Sequence, residues 1–190
     1  MQIEAKAEQG ISARGVSSFS KLIHPVSCYY RNLLNQNIME NNEKLIDSLN
    51  HLVAICNDGK FGYETAAEDA ESSELKSMFM GYSAQRAEYA SQLKEYVRSS
   101  GGDPDKDGGP LGALHRAWID VKSALSSKDN KAVLGACITG EKAAIEAYDD
   151  VLNDSDINLP VNIREMLITQ RNGIQEALNR VNALHETVNS

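Results

Sequence analysis

Three residues stand where an apolar helix face should continue: Arg86, Glu141 and Gln170. Arg86 interrupts the series Leu75, Phe79, Tyr82, Tyr89, Leu93 and Tyr96, and Glu141 the series Val133, Cys137, Ala144, Tyr148 and Val151. Gln170 interrupts Ile163, Leu167, Ile174, Ala177, Val181, Leu184 and Val188. Each sits near the middle of its stretch, Gln170 somewhat nearer the N-terminal end, so the three can share one layer. Tyr63, Tyr89 and Tyr148 fall one or two turns away on the same stripes, and a buried phenol needs a hydrogen-bond partner. Two kinds of chemistry fit this pattern. One is structural: an Arg–Glu ion pair, with Gln and Tyr hydrogen bonds, that fixes helix register. The other is a site, because unpaired charge in a core is costly and usually has a reason.

Other candidates are weaker. Asp103-x-Asp105-x-Asp107-Gly108 matches the first half of a calcium loop, but Pro104 takes the second position. The twelfth is Leu114, where a bidentate Glu is required. His51, His115 and His185 lack metal-ligand spacing, and His115 beside Trp118 reads as packing or capping. Glu64, Glu68, Asp69, Glu71 and Glu74 surround a turn and read as a solvated acidic end. Cys28, Cys56 and Cys137 form no Cys-x-x-Cys pair and read as small apolar residues of a reduced chain. No nucleophile motif, phosphate loop or dinucleotide fingerprint occurs.

The elements that must position these residues are helices. Leu45, Leu49, Leu52, Cys56, Gly59, Tyr63, Ala66 and Ala70 recur at steps of three and four, one stripe of an amphipathic helix. A second helix opens at Ser72 or Ser73 and stops at Gly101-Gly102. A short one carries Leu111, Leu114, Trp118, Val121 and Leu125. A turn through Asn153-Asp154-Ser155-Asp156 joins the last two long helices, with Pro160 near the start of the fourth. Four long helices of roughly 24 to 29 residues would each run about 36 to 44 Å. The expected fold is all-α: an antiparallel four-helix bundle with a short extra helix in the long crossover between helices 2 and 3. Residues 1–38, with scattered Gly and Ser and the pair His24-Pro25, read as a disordered or spurious N-terminal extension. The segment Met39–Glu43 looks like the natural beginning of the first helix, giving a bundle domain over 39–190.

Bulk properties narrow the partners. The net charge is −8 and the pI about 5.0, so nucleic-acid backbone and anionic membrane surfaces should repel the chain. No apolar run approaches the roughly 20 residues that span a bilayer, and no signal-peptide pattern opens the sequence. A cytoplasmic setting is expected.

The stretch Met78-Phe79-Met80-Gly81-Tyr82-Ser83-Ala84-Gln85-Arg86-Ala87-Glu88-Tyr89-Ala90-Ser91-Gln92-Leu93 resembles the helix 2 pattern of the ferritin/rubrerythrin-like superfamily, Leu-Phe-x-x-Leu-Ala-x-x-Glu-x-x-His-Ala-x-x-Leu. The apolar frame matches, but the metal-binding Glu falls on Arg86 and the His on Tyr89. Gly140-Glu141 and Tyr148 look like the family's helix 3 Glu and Tyr. Gln170 and Gly173 stand where a second Glu-x-x-His is expected, and helix 1 offers Asp58, slightly off the stripe. Gly112-Ala113-Leu114-His115-Arg116-Ala117-Trp118, ahead of Gly140-Glu141, resembles a group of uncharacterised bacterial ferritin-like proteins carrying a domain of unknown function. That resemblance, over roughly residues 42 to 188, implies a cytoplasmic bacterial bundle associated with stress responses and no assigned reaction.

A di-iron site of this superfamily needs about four carboxylates and two imidazoles on the bundle axis. Here Arg86 would supply the positive charge in place of iron. The leading expectation is a non-enzymatic, metal-free homodimer acting through protein–protein contacts, its central polar layer made of Asp58, Arg86, Glu141, Gln170, Tyr63, Tyr89 and Tyr148. The alternative is an iron or manganese oxidase, peroxidase or iron handler with Asp58, Glu88 and Glu141 as ligands. A third reading has Arg86 holding the carboxylate of a small organic ligand.

Overall fold

The computed structural model describes residues 20–70, 72–104 and 130–187. Among them lie four α-helices and no strand: α1 (Ser20–Asp69), α2 (Ser73–Ser99), α3 (Asn130–Asn153) and α4 (Val161–Thr187). The chain divides into two compact units, Met1–Glu40 and Asn41–Ser190, and α1 crosses the boundary. The short crossover helix expected over 111–125, the calcium-like loop beyond Pro104, and His115 and Trp118 lie outside the described residues, as do residues 1–19.

In the first unit, α1 begins at Ser20, well before the Met39 start that the acidic Met39–Glu43 segment suggests. The physical reason is the absence of a breaker. No Gly or Pro occurs between Val26 and Asp58, and Pro25 sits only one turn inside the helix, where it forfeits a single backbone bond. Residues 29–40 are exposed without exception.

In the second unit all four helices contribute to the core. The faces expected on α3 and α4 are the faces buried: Val133, Cys137, Glu141, Ala144, Tyr148 and Val151 on one, and Ile163, Leu167, Gln170, Ile174, Ala177 and Val181 on the other. On α1 the stripe Leu45, Leu49, Leu52, Cys56, Tyr63 and Ala66 is likewise buried. Helix α2 is turned slightly from expectation. Its buried line runs Phe79, Ser83, Arg86, Ala90, Leu93 and Val97, and Tyr82, Tyr89 and Tyr96 flank it half-buried. Tyrosines keep an apolar ring against the core and a hydroxyl near water, so small and aliphatic residues take the centre.

The apolar residues form two clusters. One gathers Leu45, Leu49, Leu52, Leu93, Tyr148 and Ile174 with their neighbours; the other gathers Tyr63, Ala66, Phe79, Leu134, Cys137 and Val181. Between them, Arg86 separates Phe79 from Ala90 on α2, and Glu141 separates Cys137 from Ala144 on α3. The polar pair divides the core.

The helix ends follow capping chemistry. Ser72 is the N-cap of α2, its side chain accepting from the Leu75 amide, with acidic Glu74 in the first turn. At the other end Gly102 N–H donates to Val97 O (2.9 Å) and Gly101 N–H to Arg98 O (3.0 Å). This is a Schellman motif, with Gly101 at φ 82°. Three asparagines of α1 tie down the segments that follow α2 and α3. Asn42 donates to Ser100 O (3.3 Å), Asn50 to Asp103 O (3.0 Å) and Asn41 to Asp156 O (3.2 Å).

Two glycines, one inside α2 and one just past its C-terminus, should therefore respond in opposite senses to alanine. Gly81 is exposed within the helix, with nothing within 4 Å of an added Cβ, so Gly81→Ala should stabilise by about 0.5–1 kcal/mol. Gly101→Ala forces a side chain onto positive φ and should cost about 1 kcal/mol. Urea denaturation midpoints moving in opposite directions are the expected result.

Candidate functional site

Arg86 reaches the middle of the core because α1 makes room for it. A Cβ on Gly59 would stand 3.3 Å from Arg86 Cγ and 3.4 Å from Cδ, so a larger residue there would press on the arginine stem. Arg86 is 2% exposed and its Nη2 donates to both oxygens of Glu141, at 2.7 Å to Oε1 and 2.6 Å to Oε2. Its Nη1 donates to Gln85 Oε1 at 2.6 Å. Tyr63, from α1, donates its phenol hydrogen to Glu141 Oε1. Both carboxylate oxygens are thus engaged, in a site where an uncompensated charge would be costly.

A second group lies beside the first. Tyr148, on α3, donates to Gln170 Oε1 at 2.7 Å, and Gln170 Nε2 passes the chain to Gln92 Oε1 at 2.8 Å. Cys56 Sγ lies 3.3 Å from the Tyr148 oxygen; with the phenol hydrogen given to Gln170, the thiol is the donor. Gln170 therefore pairs with Tyr148 and Gln92 rather than joining Arg86 and Glu141 directly. The reason is its register on α4: its buried neighbours Leu167 and Ile174 both belong to the Leu49–Tyr148 cluster.

Tyr89 covers the open side of the arginine, its ring centroid 5.7 Å from the guanidinium carbon, a cation–π contact. Its hydroxyl and the Gln85 amide pack where Gly173 of α4 has no side chain. Of the residues expected in the polar layer, Arg86, Glu141, Tyr63 and Tyr89 come together, and Tyr148 with Gln170 forms the adjoining group. Asp58 is half-buried on α1, next to Gly59. Glu88 is exposed, where it accepts from Gln92 Nε2 (3.2 Å). Sequence reasoning did not single out Cys56, Gln85 or Gln92 for the layer. Cys56 carried a signal, since it lies one turn from Gly59 on the same stripe; Gln85 and Gln92 carried none.

The electrostatics favour stasis. Burial works against the Arg86 charge, but Glu141 above all, then Tyr63 and Cys56, more than restores it, so its pKa moves up. Burial, then the Glu141 charge, drives the Tyr63 phenol well above its ordinary range. Burial likewise raises Tyr148 and pushes the Cys56 thiol up to about 11. None of these groups is poised to exchange a proton or attack near neutral pH. Nor do Arg86 and Glu141 fit a di-metal centre, because the Glu141 carboxylate is bonded on both oxygens and a guanidinium lies directly beside it. Among the described residues no three His, Cys, Asp or Glu side chains converge as metal ligands.

The model of a family described as a domain of unknown function (DUF2383) matches residues 44–154. The chain belongs to that family. The DUF2383 match takes in Cys56, Gly59, Tyr63, Arg86, Glu141 and Tyr148, and stops before Gln170 and Gly173. No curated protein is detectably similar in sequence. No described helix is long and apolar enough to cross a membrane.

The raised thiol gives a pH test. In the unfolded chain Cys56 ionises from about pH 8.5, whereas in the fold it keeps its proton to about 11. Between those values the native state binds more protons, so stability falls as pH rises. Urea midpoints should fall from pH 8.5 to 10.5, and Cys56→Ala should make that fall shallower. A profile unchanged by the substitution would place the thiol in water.

Proposed function

We propose that this chain is a ferritin-like bundle whose central metal has been replaced by the Arg86–Glu141 ion pair. On this reading it works through protein–protein contacts, as a homodimer, and not as a catalyst. The observation that carries the proposal is the bonding of Arg86 Nη2 to both Glu141 oxygens, 3% exposed or less. A carboxylate so engaged accepts three hydrogen bonds from Arg86 and Tyr63, two of them on Oε1, and is committed to its own neighbours.

Paired positions support the antiparallel, ferritin-type topology. Tyr63 meets Glu141 and Cys56 meets Tyr148, so α1 and α3 run in opposite senses. Tyr148 with Gln170, and Leu152 O with Arg164 Nη1 at 3.0 Å, say the same of α3 and α4. Gln92 with Gln170 and Glu74 with Arg180 say it of α2 and α4. Helices α2 and α3 would then be parallel, as in ferritin-type folds with one long crossover. An acidic surface and buried thiols support a cytoplasmic setting, and the resemblance to bacterial ferritin-like proteins adds a link to stress responses.

Metal content is the deciding measurement. Protein purified from iron- and manganese-supplemented cells should hold less than about a tenth of an equivalent of either metal by inductively coupled plasma mass spectrometry. One or two equivalents, the complement of a working mono- or di-metal centre, lost in Glu141→Ala, would replace this reading with the oxidase or iron-handling one.

A further inference from the structure

In the first unit, α1 carries an apolar face that nothing described covers. Tyr29, Tyr30, Leu33, Leu34 and Ile38 are 43–67% exposed. At 100° per residue the five fall within about half the helix circumference, with Asn37 among them and Met39 on the other side. Their exposed surface is on the order of 600 Å², the upper end of the largest apolar patch found on a typical monomer, which is often functional. It equals the roughly 600 Å² per partner at which specific stable interfaces begin.

Charge narrows the occupant. Residues 29–40 contain one cation, Arg31, and one anion, Glu40, so this stretch is neutral while the whole chain carries −8; the remaining residues therefore carry all of the net charge. Two copies brought together through any average surface repel each other. Brought together through this neutral stretch, they do not. Spacing agrees: Tyr30, Leu33 and Asn37 step by three and four, as seam positions of a helix pair do, with a single Asn in the seam.

We infer that residues 29–40 of α1 pair with the same residues of a second copy, making this helix the dimer interface of the protein. The inference rests on the homodimer reading above and names its surface. Two copies bury Tyr30, Leu33 and Leu34 against their counterparts, and Asn37 weakens the pair while setting its register.

Sedimentation of the full chain at micromolar concentration tests this. Wild type should be dimeric. Leu33→Asp/Leu34→Asp should raise the dissociation constant at least about a hundredfold, with the melting of the remaining helices unchanged, and Asn37→Leu should tighten the pair about tenfold. A monomeric wild type overturns both this inference and the homodimer reading. A dimer indifferent to the paired Asp substitutions overturns the inference alone and moves the interface elsewhere. A monomer that loses helix content on those substitutions means the face is covered within its own chain, and a mature N-terminus at Met39 removes the interface; either result overturns the inference.

Discussion

The organisation of this core turns on one ion pair. Arg86 and Glu141 sit between two apolar clusters, and the folded helices must hold a guanidinium and a carboxylate at hydrogen-bonding distance while both clusters are packed. A slip of one residue along α2 or α3 would leave both charges in an apolar environment at a cost of several kcal/mol. Apolar packing alone tolerates such slips, since one aliphatic residue fills space much as another does. The pair is therefore weak as a source of stability and strong as a source of register. Tyr63, Gln85 and Tyr89 complete it, each taking up a valence or a face of the two charges.

Accommodating a long cation inside a helix bundle sets conditions on its neighbours. Gly59 removes the side chain that would press on the Arg86 stem, which lets α1 pass close to α2. Gly173 does the same for the Tyr89 hydroxyl on α4. The adjoining chain from Cys56 through Tyr148 and Gln170 to Gln92 takes one side chain from each of the four helices and leads toward the surface of α2. Arg86, Glu141 and Tyr63 thus bond to one another in the interior, and the proposed function turns to the surface.

Much of this was legible in the sequence. Regular steps of three and four marked the buried faces of α3 and α4, and the same periodicity exposed Arg86, Glu141 and Gln170 as exceptions. The start of α1 was not legible, because Gly10, Gly15 and Pro25 suggest irregular chain while nothing from Val26 onward opposes a helix. The separation of Gln170 from Glu141 was also hidden, since periodicity gives the face of a residue and not its height against another helix. Cys56 was read as a small apolar side chain, and only the proximity of Tyr148 reveals it as a hydrogen-bond donor. The slight turn of α2 follows from tyrosine's dual character, which a hydrophobicity pattern counts as core.

The central claim is best tested by a double-mutant cycle on Arg86 and Glu141, read from equilibrium urea unfolding. Arg86→Leu and Glu141→Met should each cost about 3–5 kcal/mol, because the surviving charge is left buried and uncompensated. The double substitution should recover much of that loss, giving a large coupling free energy. Additive losses would mean that the two residues do not share the core as a pair, and the reading of Arg86 as the built-in charge of this centre would have to be abandoned.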